Sequence, residues 1–215
     1  MKLYIYGCSP FGLELELWLR ESNLYLGGYG KNHELEGINF CGFLGDKAYI
    51  QKDYLSLFKG GIEILDKHDS LLMAVGENLD FRQTLSERLK GRALFPNMIH
   101  KSAIFCASSL GCGNVISPYC IFSVQCRIGS FNVFGSKSEV AHNAVVGSYN
   151  SLFSFGGFMG FSKVGDKNLF GVASYLLPRA QVGSNNTIAP GSFIYKRFRD
   201  NCLIQGNPAT AIKRA

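Results

Sequence analysis

The sequence predicts two parts, a small α/β domain of the Rossmann-like type followed by a three-sided parallel β-solenoid. Two observations support this fold class. In the second half an apolar residue recurs at every sixth position without a break, whereas the first part, of about ninety residues, alternates β-rich runs with helix-forming runs. A period of six matches neither the 3.6-residue period of a helix nor the two-residue period of a strand. It fits a solenoid in which each face uses six residues and eighteen residues complete one coil.

The N-terminal part has the pattern of a small parallel sheet. Strands are predicted over Lys2–Tyr6, Ile38–Leu44 and Ser70–Val75, helices over Leu13–Arg20 and Phe81–Lys90, and a loop over Gly27–Gly37. The first helix is predicted despite its alternating apolar pattern, because Leu and Glu favour helix. An alternation of strands and helices indicates a parallel sheet.

The turn after the first strand is a candidate phosphate-binding element. Residues Gly7–Gly12 join a strand to a helix, and backbone N–H groups at the start of such a helix can face a phosphate. The spacing is not G-x-G-x-x-G and Pro10 occupies the turn, so a tight turn without a ligand is an equal alternative. Asp46 follows the second strand, at the sheet edge where ligands bind in open α/β folds.

The second half is predicted to form about five coils with no interrupting loop. Its apolar ladder is Ile104, Leu110, Ile116, Phe122, Ile128, Phe134, Val140, Val146, Leu152, Phe158, Val164, Phe170, Leu176, Val182, Ile188 and Ile194. These residues are expected to fill the interior. Four positions after each of the first fifteen comes a small residue or Asn, which fits where the wall bends. Cys120 and Cys126 stand at such positions and are expected to be packing residues, not nucleophiles.

The composition limits the class of ligand. The 215 residues carry a net charge of +6, and the 22 Lys and Arg are scattered except near Lys196, Arg197 and Arg199. This distribution favours a small polyanionic ligand over nucleic acid, which needs a broader basic face, although a solvated basic tail has the same pattern. Seven cysteines without a C-x-x-C pair, no signal peptide and no apolar run near eighteen residues predict a cytoplasmic protein that does not enter a membrane.

His142 is the histidine that the ladder singles out. It lies two residues after the inward Val140 and two before the small Ala144, so its side chain is expected to face outward. Such a histidine suits general-base work near neutral pH, but an idle surface histidine has the same pattern. A zinc site is not expected, because three histidine ligands would be needed and only His100 and His142 lie near the ladder.

Five short motifs, together with the six-residue ladder, resemble a known family. They are IYGCS at Ile5–Ser9, FLGD at Phe43–Asp46, AVGEN at Ala74–Asn78, IHKSA at Ile99–Ala103 and GNPA at Gly206–Ala209. The chain resembles the left-handed β-helix acyltransferases of the hexapeptide family. Within it, the chain is similar to the sugar-nucleotide N-acetyltransferases of the bacillosamine-pathway type and to the sialic acid O-acetyltransferases. The likeness covers nearly the whole chain and implies domains at 1–95 and 96–198 and a C-terminal tail at 199–215.

The resemblance implies a homotrimer with three sites, each between two neighbouring solenoids. Acetyl-CoA is then the co-substrate, no metal takes part, and the acceptor is a nucleoside-diphosphate-linked amino sugar of the dideoxy type. His142 matches the catalytic base, the backbone N–H of Gly160 matches the oxyanion donor, and Asn143 is the candidate orienter of the imidazole. Cofactor positions match Ser151, Gly160, Gly171, Ala189, Lys196 and Arg197, and substrate positions match Gly7, Cys8, Ser9, Phe11, Asp46, Gly76 and Asn78.

Four departures from the family pattern affect this site. Ala141 and Asn143 flank the histidine where the family has acidic residues, and Gly135 stands where an Asn is often found, seven positions before the base. Ser151 replaces a second histidine near the cofactor, and Phe11 replaces the histidine of the opening turn. Asn143 can accept a hydrogen bond but carries no charge, so it stabilises an imidazolium less than a carboxylate does. The departures leave the fold and cofactor class unchanged and the exact substrate open.

The predicted function is acetyl-CoA-dependent N-acetylation of a nucleotide-linked amino sugar in surface polysaccharide or glycan biosynthesis. O-acetylation of a sialic acid or another sugar is an alternative, and so is a non-catalytic solenoid that binds a nucleotide sugar. An amine attacks a thioester more readily than a hydroxyl does. The weakened pair of His142 and Asn143 therefore favours nitrogen over oxygen as the nucleophile.

Overall fold

The computed structural model describes residues 2–26, 33–34, 38–46 and 52–213. Its N-terminal elements are β1 (Lys2–Tyr6), α1 (Pro10–Leu19), β2 (Ser22–Leu26), β3 (His33–Glu34), β4 (Asn39–Leu44), a 3-10 turn at Lys52–Leu57, β5 (Phe58–Gly60), a 3-10 turn at Ile62–Ile64, β6 (Ser70–Met73) and α2 (Leu79–Arg88). The three predicted strands and both predicted helices are present, with their ends shifted by a few residues. The loop predicted over 27–37 lies outside the described residues apart from β3.

Four parallel strands form the N-terminal sheet, in the order β5-β4-β1-β6. Its centre is apolar because Leu3, Ile5 and Phe43 are fully buried. Two α-helices accompany these four strands in the described part. The prediction of a small α/β unit is therefore confirmed, while the described unit has fewer helices than a complete Rossmann fold.

The turn between β1 and α1 requires glycine at both of its ends. Gly7 has a φ of +109°, which side-chain-bearing residues rarely adopt. A Cβ at Gly12 would lie 2.1 Å from the carbonyl oxygen of Gly7, so the helix can start this close to the strand only with glycine there. Ser9 caps the helix, since its Oγ accepts a hydrogen bond from the Gly12 N–H at 3.2 Å.

Short strands build the solenoid. They are β7 (Asn97–His100), β8 (Ile104–Phe105), β9 (Ser109–Leu110), β10 (Val115–Ile116), β11 (Ile121–Phe122), β12 (Arg127–Ile128), β13 (Val133–Phe134), β14 (Glu139–Val140), β15 (Val145–Val146), β16 (Ser151–Leu152), β17 (Gly157–Phe158), β18 (Lys163–Val164), β19 (Leu169–Phe170), β20 (Tyr175–Leu176), β21 (Gln181–Val182), β22 (Thr187–Ile188), β23 (Phe193–Ile194), β24 (Arg197–Phe198), β25 (Cys202–Gly206) and β26 (Ala209–Lys213).

Every third strand belongs to the same face, and the three faces are parallel sheets. The first face contains β7, β10, β13, β16, β19, β22 and β25, the second runs from β8 to β23, and the third runs from β9 to β24. The solenoid is of the left-handed type. It has six coils, since the second and third faces each contain six strands. The predicted three-sided solenoid is thus confirmed, with one coil more than expected.

The interior ladder is as predicted from Leu110 to Ile194 and differs at both ends. Ile104 is 60% exposed, because β8 pairs with β11 through Phe105 and Phe122, so that Phe105 is the residue that packs against the core. Beyond Ile194 the ladder continues through Phe198 and Ile204, after a corner shortened by two residues. Past residue 198, β25 continues the first face, and β26 folds back on it as an antiparallel strand.

Buried asparagines form a hydrogen-bonded ladder at the corner between the third and first faces. They are Asn97, Asn114, Asn132, Asn150, Asn168 and Asn186. Each of the first five side-chain oxygens accepts from the backbone N–H and the Nδ2 of the next asparagine, at 2.8–3.1 Å. The five from Asn97 to Asn168 also donate to a glycine carbonyl of the next coil. These side chains were predicted only to pack, and they hold successive coils in register.

The N-terminal unit covers the lower part of the first face. Leu3, Ile5 and Phe43 share one core with Met98 and Val133, which point outward from the solenoid. Strand β2 of the N-terminal unit also contacts the solenoid, because it pairs antiparallel with β7 of the first face. Among the described residues, no helix is both long enough and apolar enough to cross a bilayer.

Candidate active site

His142 lies on the corner between the second and third faces, called here the histidine corner (residues 123–126, 141–144, 159–162, 177–180 and 195–196). Its side chain is exposed, so the predicted outward orientation is confirmed. Consecutive turns of this corner stack through backbone hydrogen bonds: the Phe161 N–H donates to the His142 carbonyl at 3.1 Å, and the Arg179 N–H donates to the Gly160 carbonyl at 3.0 Å. The side chains of the corner are therefore held on a rigid wall.

Two neighbours fix the position of the His142 imidazole. Its ring stands perpendicular to that of Phe161, with centroids 5.2 Å apart and an interplanar angle of 87°. Its Nε2 atom lies beside Gly160, where an added Cβ would come within 2.8 Å. The Gly160 N–H, one coil above, donates no hydrogen bond within the described residues. The corner thus places a potential base next to a free backbone donor.

Replacing Gly160 with alanine is expected to lower turnover by about a hundredfold, because the new methyl group would displace the imidazole. Thermal unfolding should change little, since the ring can move toward solvent. The control is Gly191→Ala, at a glycine where an added Cβ would meet nothing within 4 Å. Because Gly191 has a φ of +67°, this variant measures the effect of backbone strain without displacing His142. Wild-type turnover in Gly160→Ala would contradict this role of Gly160.

Asn143 contacts His142, as the sequence predicted for an orienter. The Asn143 Oδ1 lies 3.1 Å from the His142 Nδ1. The Asn143 Nδ2 in turn donates to the Gln125 Oε1 at 2.7 Å, one coil below. No carboxylate takes part in this chain of contacts, and Gln125 was not predicted.

Basic side chains lie along the histidine corner in the coils above His142. Arg179 lies with its guanidinium carbon 4.9 Å from the centroid of Phe161. Lys196 belongs to the same corner, three coils above His142, and so about 14 Å along the solenoid at the usual strand spacing. Arg197 lines an adjacent cleft of about 430 Å³ together with Lys163 and Arg199. The predicted cations thus lie on one side of the candidate base.

Gly7, Cys8, Ser9 and Asp46 line a single cavity of about 350 Å³ at the carboxyl ends of β1 and β4. Burial raises the pKa of the Cys8 thiol, so this thiol stays protonated near neutral pH. The remaining wall includes Tyr6 and Phe81, whose ring centroids are 5.6 Å apart. The structure brings together four of the residues that the sequence predicted for the substrate.

Phe11 lines a second cleft of about 560 Å³ between α1 and the solenoid. Ser9 is shared with the first cavity, Trp18 extends the wall on the helix side, and Gly135 and Phe153 form the solenoid side. Gly76 also borders this cleft. Asn78 has a structural contact, because its side chain caps α2 by accepting from the Phe81 N–H at 3.0 Å.

Gly171 and Ala189 lie on the other edge of the second face, at its corner with the first face. Gly171 is buried, and a Cβ there would lie 2.6 Å from the Pro190 nitrogen of the coil above. In a single chain these two residues are therefore separated from His142 by the width of the second face.

Ser151 is fully buried beneath the N-terminal unit. Its Oγ hydrogen bonds to the Gly76 carbonyl and lies 2.6 Å from Arg82. Arg82 is also buried and donates to the backbone carbonyls of Gly76 and Phe131, at 3.1 and 2.9 Å. Burial lowers the pKa of Arg82 to about 10, which still leaves a cation at neutral pH. Sequence reasoning missed this arginine, because its burial depends on two distant segments.

Replacing Arg82 with methionine is expected to lower the free energy of unfolding by about 2 kcal/mol. The variant leaves the Phe131 carbonyl without its donor and the Gly76 carbonyl with the Ser151 hydroxyl alone, while it also removes the cost of a buried charge. Urea unfolding measures the loss, and Arg88→Met, an exposed arginine of the same helix, is the control. Equal stability of the two variants would show that Arg82 does not join the two parts.

The other chemistry-bearing residues have structural surroundings. His100 is buried, with its Nδ1 2.8 Å from the Ser102 hydroxyl. Cys120 and Cys126 are fully buried in the solenoid core, so their assignment as packing residues is confirmed. Burial also raises the pKa of the Cys126 thiol to about 11 and raises that of Cys120. Cys106, in contrast, is exposed. The described residues contain no group of three or more His, Cys, Asp or Glu able to hold a metal.

Comparisons with known proteins give matches of structure only. No family model matches the chain, and no curated protein matches it. A histidine-to-asparagine mutant of perosamine N-acetyltransferase from Caulobacter crescentus, in complex with CoA and GDP-perosamine, aligns with a TM-score of 0.81 and 18% identity over 100% of this chain and 98% of that chain. The acetyltransferase domain of PglB from Neisseria gonorrhoeae gives a TM-score of 0.78 and 18% identity, over 98% and 99% of the two chains.

WeeI from Acinetobacter baumannii aligns with a TM-score of 0.74 and 17% identity, over 99% of this chain and 100% of that chain. The alignments extend over both the N-terminal unit and the solenoid, since each covers nearly all of both chains. The chain therefore has, from end to end, the fold of these acetyltransferase structures, an α/β unit followed by a β-solenoid.

Proposed function

We propose that this protein is an acyltransferase that transfers the acetyl group of acetyl-CoA to the amine of a nucleoside-diphosphate-linked amino sugar. One observation carries the proposal: on a rigid corner, the Nε2 atom of His142 lies beside Gly160, whose N–H donates no hydrogen bond to any described residue. Acyl transfer from a thioester needs both a base for the nucleophile and a donor for the carbonyl oxygen. The matched perosamine N-acetyltransferase, in complex with CoA and GDP-perosamine, supports the same reaction class.

His142 and Gly160 divide the chemical work between them. His142 Nε2 accepts the proton of the amine as nitrogen attacks the thioester carbonyl, and Gly160 donates its N–H to the oxygen as negative charge develops there. The new N–C bond forms, the C–S bond breaks, and the departing sulfur takes the proton back from His142. Asn143 holds the imidazole in place, and the perpendicular ring of Phe161 packs against it.

Acetyl-CoA supplies the acetyl group, and the cations beyond His142 suit its phosphates. Lys196 lies about 14 Å along the same corner, a distance of the order of an extended pantetheine arm. Arg197 and Arg199 line the adjacent cleft and are exposed. Ser151 is not included in this proposed site, because its buried hydroxyl already contacts Gly76 and Arg82.

The nucleotide sugar would bind to the α/β unit in the manner of a Rossmann-like sheet. The cavity of 350 Å³ lies at the carboxyl ends of parallel strands, where the Gly7–Ser9 turn and Asp46 meet. It shares Ser9 with the larger cleft that reaches Phe11 and the solenoid. The sugar would extend from the first cavity into this cleft. Surface polysaccharide or glycan biosynthesis is the setting that such a substrate suggests.

A second copy of the chain would complete the site. The second face carries the exposed apolar side chains of Ile104 (60% exposed) and Ile121 (44% exposed), and Tyr195 (55% exposed) borders it on the histidine corner. Such a surface is typical of an interface. Its two edges carry His142 on one side, and Gly171 and Ala189 on the other. Contact between copies at this face would bring one copy's histidine corner to the opposite corner of its neighbour. A cyclic homotrimer closes such contacts.

The proposed location is the cytoplasm. All seven cysteines are free thiols, which fits a reducing compartment. A nucleotide-linked sugar and acetyl-CoA are available there.

The test is release of CoA thiol from acetyl-CoA in the presence of purified protein and a panel of GDP-, UDP- and dTDP-linked amino sugars. At least one amino sugar should release thiol and gain an acetyl group in equal amounts. The corresponding hydroxyl sugars serve as matched controls. Release with hydroxyl sugars alone would favour O-acetylation. Stabilisation of the protein by nucleotide sugars in a thermal-shift measurement, with no thiol release for any sugar, would instead favour a non-catalytic binding protein.

A further inference from the structure

We propose that Gln125 is a positioning residue that selects the tautomer of His142 through the carboxamide of Asn143. This inference rests on the proposed function, because it concerns the base of that reaction. It goes beyond the His142–Asn143 pair, since Gln125 touches neither the imidazole nor the site of the reaction. The three residues are called here the amide relay (Gln125, Asn143 and His142).

The geometry of the relay is set by the solenoid itself. Gln125 and Asn143 are eighteen residues apart and occupy equivalent positions on successive coils, with φ of 60° and 59°. The Asn143 N–H donates to the Val124 carbonyl at 3.2 Å, which ties the two turns together. The side chains then meet directly, as the Asn143 Nδ2 donates to the Gln125 Oε1 at 2.7 Å.

The donors and acceptors of the relay determine which nitrogen of His142 carries the proton. An amide oxygen can only accept, and an amide NH₂ can only donate. When the Asn143 NH₂ is engaged by the Gln125 oxygen, the Asn143 Oδ1 faces the His142 Nδ1, 3.1 Å away, and this nitrogen must carry the proton. The lone pair is then on Nε2, the nitrogen beside Gly160.

The reverse arrangement would disable the base. If both carboxamides were turned over, the Asn143 NH₂ would donate to Nδ1, and the proton would sit on Nε2. Nε2 could then accept no proton from the attacking amine. A carboxylate at position 143 would exclude this arrangement by itself, because it has no donor. In this chain the opposing group is Gln125, whose oxygen faces the Asn143 NH₂, so the reverse arrangement requires both carboxamides to turn over together.

Two substitutions at Gln125 distinguish its role as a hydrogen-bond acceptor from a role in packing. Gln125→Glu places an acceptor-only group at the same length, so the relay keeps its direction and kcat should stay within about threefold of the wild-type value. Gln125→Met has the same length but no acceptor, so Asn143 is free to turn over. A neutral imidazole in water prefers the proton on Nε2, and His142 in that form cannot accept the proton of the amine. The kcat of Gln125→Met should therefore fall by about tenfold to a hundredfold, with an unchanged KM for acetyl-CoA.

The tautomer itself is read by ¹⁵N NMR of the imidazoles, with His142 assigned from the spectrum of His142→Ala. We expect Nδ1–H in the wild type and in Gln125→Glu, and a shift toward Nε2–H in Gln125→Met. A wild-type His142 with its proton on Nε2 would overturn the proposal, and so would a Gln125→Met variant with the wild-type tautomer. The NMR result does not depend on turnover. Absence of acetyl transfer in the wild type would therefore count against the proposed function and leave the relay to be judged by the tautomer.

Discussion

Replacing His142 with alanine is expected to lower kcat for acetyl transfer by a factor of about 10² to 10⁴. The substitution removes the group that takes the proton of the attacking amine, and positioned general bases contribute rate factors of this size. The residual rate would come from substrate positioning and from the Gly160 N–H, both of which the variant keeps. Initial rates of thiol release at saturating acetyl-CoA and acceptor measure the change.

The fold should be unaffected by His142→Ala, because the ring is exposed and its one aromatic contact among the described residues is with Phe161. The melting temperature of the variant is therefore expected to match that of the wild type. His68→Ala is the matched control, since His68 is an exposed histidine of the N-terminal part. A His142→Ala variant with full activity would show that His142 is not the base.

Replacing Asn168 with alanine is expected to lower the free energy of unfolding by about 3 kcal/mol. The side chain donates to the Asn150 Oδ1 and the Gly183 carbonyl, and its own oxygen accepts from the backbone and side chain of Asn186. The three asparagines are buried and Gly183 is half-buried, and each buried partner left unsatisfied costs about 1–3 kcal/mol before relaxation. Urea unfolding followed by circular dichroism gives the difference.

Ser162→Ala is the control for the asparagine ladder. Ser162 is a buried polar residue at another corner of the same solenoid, but its hydroxyl has no hydrogen-bond partner in the described part of the chain. Removal of an unpaired hydroxyl should change stability by less than about 0.5 kcal/mol or increase it. If Asn168→Ala and Ser162→Ala were equally stable, the asparagines would act as fillers only, as the sequence alone suggested.

The interior of the solenoid could be predicted because one rule places every residue. From Leu110 to Ile194 each coil uses eighteen residues, so counting in sixes identifies the inward side chains. The rule fails where a corner loses residues. Between Phe105 and Leu110 one residue is missing, and between Ile194 and Phe198 two are missing, so Ile104 was assigned inward and Phe198 was left out. The first shift could not be seen in the sequence, because Ile104 and the inward Phe105 are both apolar.

The candidate site could be predicted only where it depends on the repeat. The exposure of His142 and its contact with Asn143 follow from their place on a corner. Gln125 also follows from the repeat, since it stands eighteen residues before Asn143, and this spacing is the signal that could have identified it. Arg82 and the burial of Ser151 could not be predicted, because they depend on how α2 packs against the solenoid.

The chemical nature of the product tests the central proposal most directly. The protein would be incubated with ¹³C-acetyl-CoA and the nucleotide-linked amino sugar that gives the highest turnover, and the bond to the labelled carbonyl would be identified by NMR. The account predicts a single amide on the sugar nitrogen, stable to mild base and absent with His142→Ala. A base-labile ester on a sugar hydroxyl, or no labelled sugar at all, would contradict it.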